Sequence, residues 1–179
     1  MHEAWTQAYQ ELGEVIFPAP LIQARVAELA ARISADYAGR PLHLVAVLRG
    51  ALPFVADLSR RLDLDVSFDF VFLSRTAEPN GHVRLLKDLE GPIEGRHVLV
   101  VEDLVNEGHT LSYLLEMLKL RGPATLGAAT MFDRPYRRAG GLQIEYVGLE
   151  VPEDFVVGYG LDYRQRYRNL PFLATLRLP

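Results

Sequence analysis

The sequence predicts an α/β fold with a mostly parallel central sheet flanked by helices. Three observations carry this. Short, continuously apolar runs of strand length recur along the chain, and amphipathic stretches of helical period lie between them. The chain has 179 residues, 49% of them hydrophobic and none of them cysteine, so one core closed by packing alone is expected. A run apolar at every position reads as a strand covered on both faces, which a parallel sheet between two layers of helices requires.

In chain order, residues 20–38 place Ile22, Val26, Leu29, Ala30, Ile33 and Tyr37 at helical spacing, and Gly39 follows as a stop. LHLVAVL (42–48) is a buried strand ending in Arg49-Gly50. Leu52, Val55, Leu58 and Leu62 then mark a second helix. Residues 64–73 alternate, which predicts a strand with Val66, Phe68, Phe70 and Phe72 on one face and Ser67 and Asp69 on the other. Pro79-Asn80-Gly81 is a strong turn signal, and Ser74 to Gly81 is expected as a mobile loop. From His97 the order strand, loop, helix repeats, with Leu111, Leu114, Leu115 and Leu118 on one helix face and Gly122-Pro123 as its end. Further apolar runs at 126–132, 144–149 and 155–161 are expected as strands. There is no internal repeat, low-complexity tract or linker, so residues 1–179 are read as a single domain.

The segment VLVVEDLVNEGHTLSYLL carries the chemistry. Four apolar residues, Val98 to Val101, run into two adjacent carboxylates, Glu102 and Asp103, then a loop with Gly108, then a helix. In open α/β sheets the ligand crevice lies at the carboxyl ends of the strands. A loop entering a helix there offers backbone N–H groups and the positive end of the helix dipole to a phosphate. The carboxylates either accept hydrogen bonds from sugar hydroxyls or merely end a strand and cap a helix.

Charge narrows the partners. With 19 Lys and Arg against 23 Asp and Glu the net charge is -4, and the basic cluster Arg134, Arg137 and Arg138 is short. No nucleic-acid partner is expected of such a chain. No stretch approaches the roughly 18 apolar residues of a membrane helix and the N-terminus is acidic, so no membrane partner and a cytoplasmic location are expected. Only Lys87 and Lys119 are lysines; every other basic residue is arginine.

Around residues 98–115 the sequence resembles the phosphoribosyl pyrophosphate (PRPP) signature of the type I phosphoribosyltransferases, specifically the hypoxanthine-guanine branch. The likeness extends through LRGALPFVADL (48–58), GHVRLLKDL (81–89), IEGRHVLVVEDL (93–104) and YVGLEVPEDFVVGYGLDYRQRYRNLPF (146–172). It implies a type I phosphoribosyltransferase fold, with a core over about 20–150 and a small hood from the chain ends, about 1–19 and 150–179. Val15-Ile16-Phe17 would pack into that hood or an interface. It implies that Glu102 and Asp103 bind the ribose hydroxyls, partly through Mg2+, and that Asn106, Glu107, Gly108, His109 and Thr110 cradle the 5'-phosphate. Arg49 and Gly50 match the pyrophosphate loop, where the peptide before the basic residue is often cis. Arg168 would meet the pyrophosphate, Asp162 a second Mg2+, Phe155 the purine face and the Val156 backbone the purine edge. PRPP, a purine base and a purine mononucleotide are the implied small molecules, and a homodimer or homotetramer the implied assembly.

Four positions depart from the family pattern. Asn106 stands where the family carries an Asp thought to take the proton from purine N7; an amide cannot accept it, and a positioned base is worth about 10²- to 10⁴-fold. Its amide can donate to an unprotonated N7 instead. Glu107 replaces a Thr, and a carboxylate about 4 Å from a phosphate would cost roughly 1 to 4 kcal/mol unless it points to solvent. Arg134 stands where a Lys meets the purine O6, and a guanidinium keeps that charge. The catalytic lid opens Ser74-Arg75 rather than Ser-Tyr. Two functions follow. One is a purine phosphoribosyltransferase of altered activity. The other is a weakly active or non-catalytic purine-nucleotide sensor, since the departures fall on catalytic groups and spare the binding ones.

Overall fold

LHLVAVL forms the central strand β2 (Leu42–Leu48), and its backbone is sealed by parallel neighbours on both sides. The structure, a computed structural model, describes residues 10–75, 83–138 and 141–177. The six-stranded sheet has the order β4-β3-β2-β5-β6-β7. Its members are β3 (Val66–Arg75), β4 (Val83–Lys87), β5 (His97–Val105), β6 (Thr125–Asp133) and β7 (Tyr146–Glu150), and only β4 runs antiparallel to its partner.

Side chains of β2 alternate between two cores, as a strand with helices on both faces must. Leu44 and Ala46 face α1 (Ala19–Asp36) and α2 (Leu52–Ser59), whereas Val45 and Val47 face α3 (His109–Lys119). The buried stripe of α1 is Ile22, Val26, Leu29, Ala30 and Ile33, at the expected spacing. In α3, Leu111, Leu114 and Leu118 are buried; a core Leu of this kind costs about 2–5 kcal/mol to truncate to Ala.

Two expectations are corrected. The second helix ends at Ser59, so Leu62 reaches the core from the turn that follows. In β3, a strand as expected, Asp69 is buried while Phe68 on the opposite face is 48% exposed. The Asp69 carboxylate is satisfied there: it accepts the N–H groups of Phe70 and Glu90, each at 2.7 Å, and faces Lys87 Nζ at 3.5 Å. Finally, residues 155–161 add no strand to the main sheet. Only Val156–Val157 pair, as β8, in a separate three-stranded antiparallel sheet of order β1-β9-β8, with β1 (Leu12–Phe17) and β9 (Leu173–Leu176).

That small sheet brings the two ends of the chain together over its own apolar cluster, which includes Leu12, Tyr167, Phe172 and Leu176. Phe17 carries the cover back to the core by stacking on Phe132, ring centroids 6.3 Å apart. Two glycines set the joint beside the carboxyl end of β5. Gly160, with φ +100°, lies so close to the Gly50 carbonyl that a Cβ would overlap it, and a Cβ on Gly50 would overlap the Asp103 carboxylate. No helix among the described residues is long and apolar enough to cross a membrane.

Candidate active site

Strand β5 continues through both acids to Val105, so Glu102 and Asp103 belong to the strand rather than to the loop. Glu102 is buried, and its Oε2 meets no hydrogen-bond donor among the described residues. Burial first, and the Asp103 charge second, push its pKa well above the usual carboxylate range. Asp103 Oδ1 accepts the Leu104 N–H at 2.8 Å. Burial pushes the Asp103 pKa up to about 6, with Asp162 adding to the effect and backbone N–H groups and Arg168 opposing it. Burial thus disfavours the ionised form of both carboxylates.

Beyond them the chain turns at Gly108, left-handed at φ +83°, whose carbonyl accepts the Ser112 N–H at 2.8 Å as α3 begins. The turn walls a cavity floored by Glu102 and lined by Asn106, Glu107, Gly108, His109 and Thr110. The Glu107 and His109 side chains are half-exposed, with Oε2 and Nε2 3.8 Å apart.

A second cavity opens on the other side of the acids, lined by Arg49, Gly50, Phe72, Thr110, Asp162, Gln165 and Arg168 as well as Glu102 and Asp103. The Leu48–Arg49 peptide is cis. The Arg49 guanidinium lies 5.4 Å over the Phe72 ring and donates to Gln165 Oε1 at 2.9 Å. Arg168 pairs with Asp162 Oδ1 at 2.6 Å, donates to the Gly160 carbonyl at 2.6 Å and reaches Gln165 Oε1 at 3.4 Å. Gln165 therefore holds both arginines on one carbonyl oxygen, while its N–H donates to Asp162 Oδ2 at 2.8 Å.

The third cavity lies between Asp103, Asn106, Arg134, Phe155, Val156 and Asp162, among others. Phe155 is 43% exposed and stands edge-to-face on Tyr163, centroids 5.6 Å apart, offering a ring face to a planar ligand. Arg134 is buried and is bound to the protein three times: Nε to the Pro152 carbonyl at 2.9 Å, and the two terminal nitrogens to Asn106 Oδ1 at 3.0 Å and the Asp154 carbonyl at 2.6 Å. It ties the loop carrying Phe155 to the loop carrying Asn106.

The structure thus brings Arg49, Gly50, Glu102, Asp103, Asn106 to Thr110, Arg134, Phe155, Val156, Asp162 and Arg168 to one end of the sheet. Ser74 and Arg75 are the last residues of β3, paired in the backbone register with Arg84 and Val83; most of the expected lid, from residue 76 on, lies outside the described residues. Sequence reasoning missed Gln165, Phe72 and Tyr163. Only the crowding of arginines around Gln165 hinted at a shared acceptor.

These groups gather at the carboxyl ends of the parallel strands β2 and β5. The phosphoribosyl transferase domain model matches residues 14–164, and the chain belongs to that family. It is 42% identical over 172 residues to the hypoxanthine-guanine phosphoribosyltransferase of Staphylococcus epidermidis, covering 94% of this chain and 96% of that one. It is 39% identical to the bifunctional protein TilS/HprT of Listeria innocua, of whose length it spans 26%. A crystal structure of a hypoxanthine phosphoribosyltransferase from Staphylococcus aureus superposes with a TM-score of 0.90 at 40% identity, over 94% of each chain.

Proposed function

We propose that this chain is a purine phosphoribosyltransferase that converts hypoxanthine or guanine and PRPP to IMP or GMP and pyrophosphate, slowed by Asn106 in place of a base. The observation that carries this reading is that three cavities meet on one pair of acids: Glu102 lines the first and second, and Asp103 the second and third. A ribose over that pair sends its 5'-phosphate toward residues 106–110. Its C1' then faces Arg49 and Arg168 on one side and Phe155 on the other. A pyrophosphate leaving toward the arginines and a base arriving from Phe155 are in line across the same carbon.

Mg2+ fits the acids. It takes one or two carboxylates and completes its shell with water and substrate oxygens, and Glu102 Oε2 is buried without a donor. Glu102 and Asp103 would hold the ion, with Asp162 across the cavity; when bound it would neutralise their charge and polarise the pyrophosphate oxygens. The arginines, already clamped on Gln165, bind the leaving group with little reorganisation. As N9 bonds to C1' and the C1'–oxygen bond to pyrophosphate breaks, the N7 proton passes to solvent, because Asn106 cannot accept it.

The test is pyrophosphate release from PRPP with hypoxanthine, guanine, xanthine or uracil, with Mg2+ or with EDTA. Release with hypoxanthine and guanine, absent with uracil and abolished by EDTA, is expected. A chain that releases none and binds neither GMP nor IMP by calorimetry overturns the reading.

A further inference from the structure

We propose that Arg134 is a positioning residue: by donating to Asn106 Oδ1 it turns the Asn106 NH2 into the base cavity and makes the site a reader of the lone pair on purine N7. The inference rests on the cavity of Phe155 being the purine site.

A guanidinium has donors only, whereas an amide has an acceptor end and a donor end. Arg134 is fixed from behind by the carbonyls of Pro152 and Asp154 and is 7% exposed, so it cannot turn away. Facing it, Asn106 must present Oδ1, as it does at 3.0 Å; the reversed amide would set donor against donor. The NH2 is left free of that contact, and Asn106 lines both the phosphate cavity and the base cavity. It therefore meets the base near the glycosidic bond.

Two ring nitrogens of a purine lie near that bond, N3 and N7. The carboxylates Asp103 and Asp162 also line the cavity and donate nothing when ionised, so the Asn106 NH2 supplies the amide donor there. Of the two nitrogens we assign N7 to it, and 7-deaza and 3-deaza nucleotides separate them. A purine ribosylated at N9 always carries a lone pair on N7. A free 6-oxopurine carries it only as the N9–H tautomer, in which N9 has no free pair with which to attack. The fixed amide consequently favours the finished nucleotide and the unreactive tautomer of the base. Arg134 acts on N7 through Asn106.

Calorimetry with GMP, 7-deaza-GMP and 3-deaza-GMP tests this. Wild type is expected to bind GMP about tenfold more tightly than 7-deaza-GMP, one hydrogen bond's worth, and to bind 3-deaza-GMP like GMP. Arg134→Met and Arg134→Gln release the amide, and the ratio should shrink to within about twofold. Asn106→Asp, which has no donor when ionised, should lose it as well. Equal binding of GMP and 7-deaza-GMP by wild type overturns the inference, as does a loss shared with 3-deaza-GMP. A tenfold ratio kept in either Arg134 variant, folded by its melting curve, also overturns it. If neither variant folds, Asn106→Asp decides: a kept ratio overturns the inference and a lost ratio supports it. Failure of wild type to bind GMP at all would instead refute the purine reading on which the inference rests.

Discussion

Gly50 packs its Cα against the carboxylate of Asp103, so closely that a methyl group on Gly50 would overlap Oδ2. The contact fixes how near the loop of Arg49 comes to the acids. Gly50→Ala must push that loop or Asp103 aside, and a displacement of about 1 Å at a reacting centre costs on the order of 100-fold. Pyrophosphate release by Gly50→Ala should fall by about that factor. Its melting temperature should fall by only a few degrees, about what overpacking by one methyl produces.

The buried acids oppose folding when no cation is bound. The Asp103 pKa is raised to about 6, so its proton-linked contribution to stability is intact below about pH 4 and is lost as the pH rises through 6. Asp103→Asn should therefore raise the melting temperature of the metal-free protein at pH 8, by about 2–4 °C for each ~1 kcal/mol recovered, and the gain should vanish near pH 4. Adding Mg2+ at pH 8 should stabilise wild type and leave the variant nearly unmoved, as melting curves with and without the ion will show.

Gln165 has φ +64° and holds Arg49 and Arg168 on one oxygen. Gln165→Gly keeps the backbone at ease in that conformation while removing the shared acceptor. Steady-state kinetics should show KM for PRPP raised about 3- to 10-fold, the cost of one hydrogen bond, with an unchanged melting temperature.

Phe155 is 43% exposed and stands edge-to-face with Tyr163. Phe155→Ala should weaken GMP and IMP alike by about 10-fold or more in calorimetry, while Phe155→Tyr keeps the face and the affinity.

What was legible in the sequence follows from which forces are local. Leu42–Leu48 is legible end to end, because a strand buried on both faces is apolar at nearly every position; its one polar residue, His43, is paired with Ser67 Oγ at 3.0 Å. The alternation of β3 shows the strand but not which face is buried, because the partner that makes Asp69 tolerable inside is the N–H of Glu90, on the far side of a hairpin. The run 155–161 read as a strand because it is apolar, but its residues fold back around Gly158 and Gly160 to seat the small sheet on the core. At the site, the acids after an apolar run were visible in one short segment. The place of Gln165 was not, because its meaning depends on Arg49, 116 residues away. Arg134 was visible as a cation, but its bond to Asn106 exists only after β5 and β6 align side by side.

The most direct measurement of the central claim is steady-state pyrophosphate release from PRPP and hypoxanthine by wild type and Asn106→Asp. A site complete except for its base predicts measurable turnover by wild type and a rise of about 100-fold in the Asp variant. Equal rates in the two proteins, or a variant that stays silent while binding IMP, would contradict it.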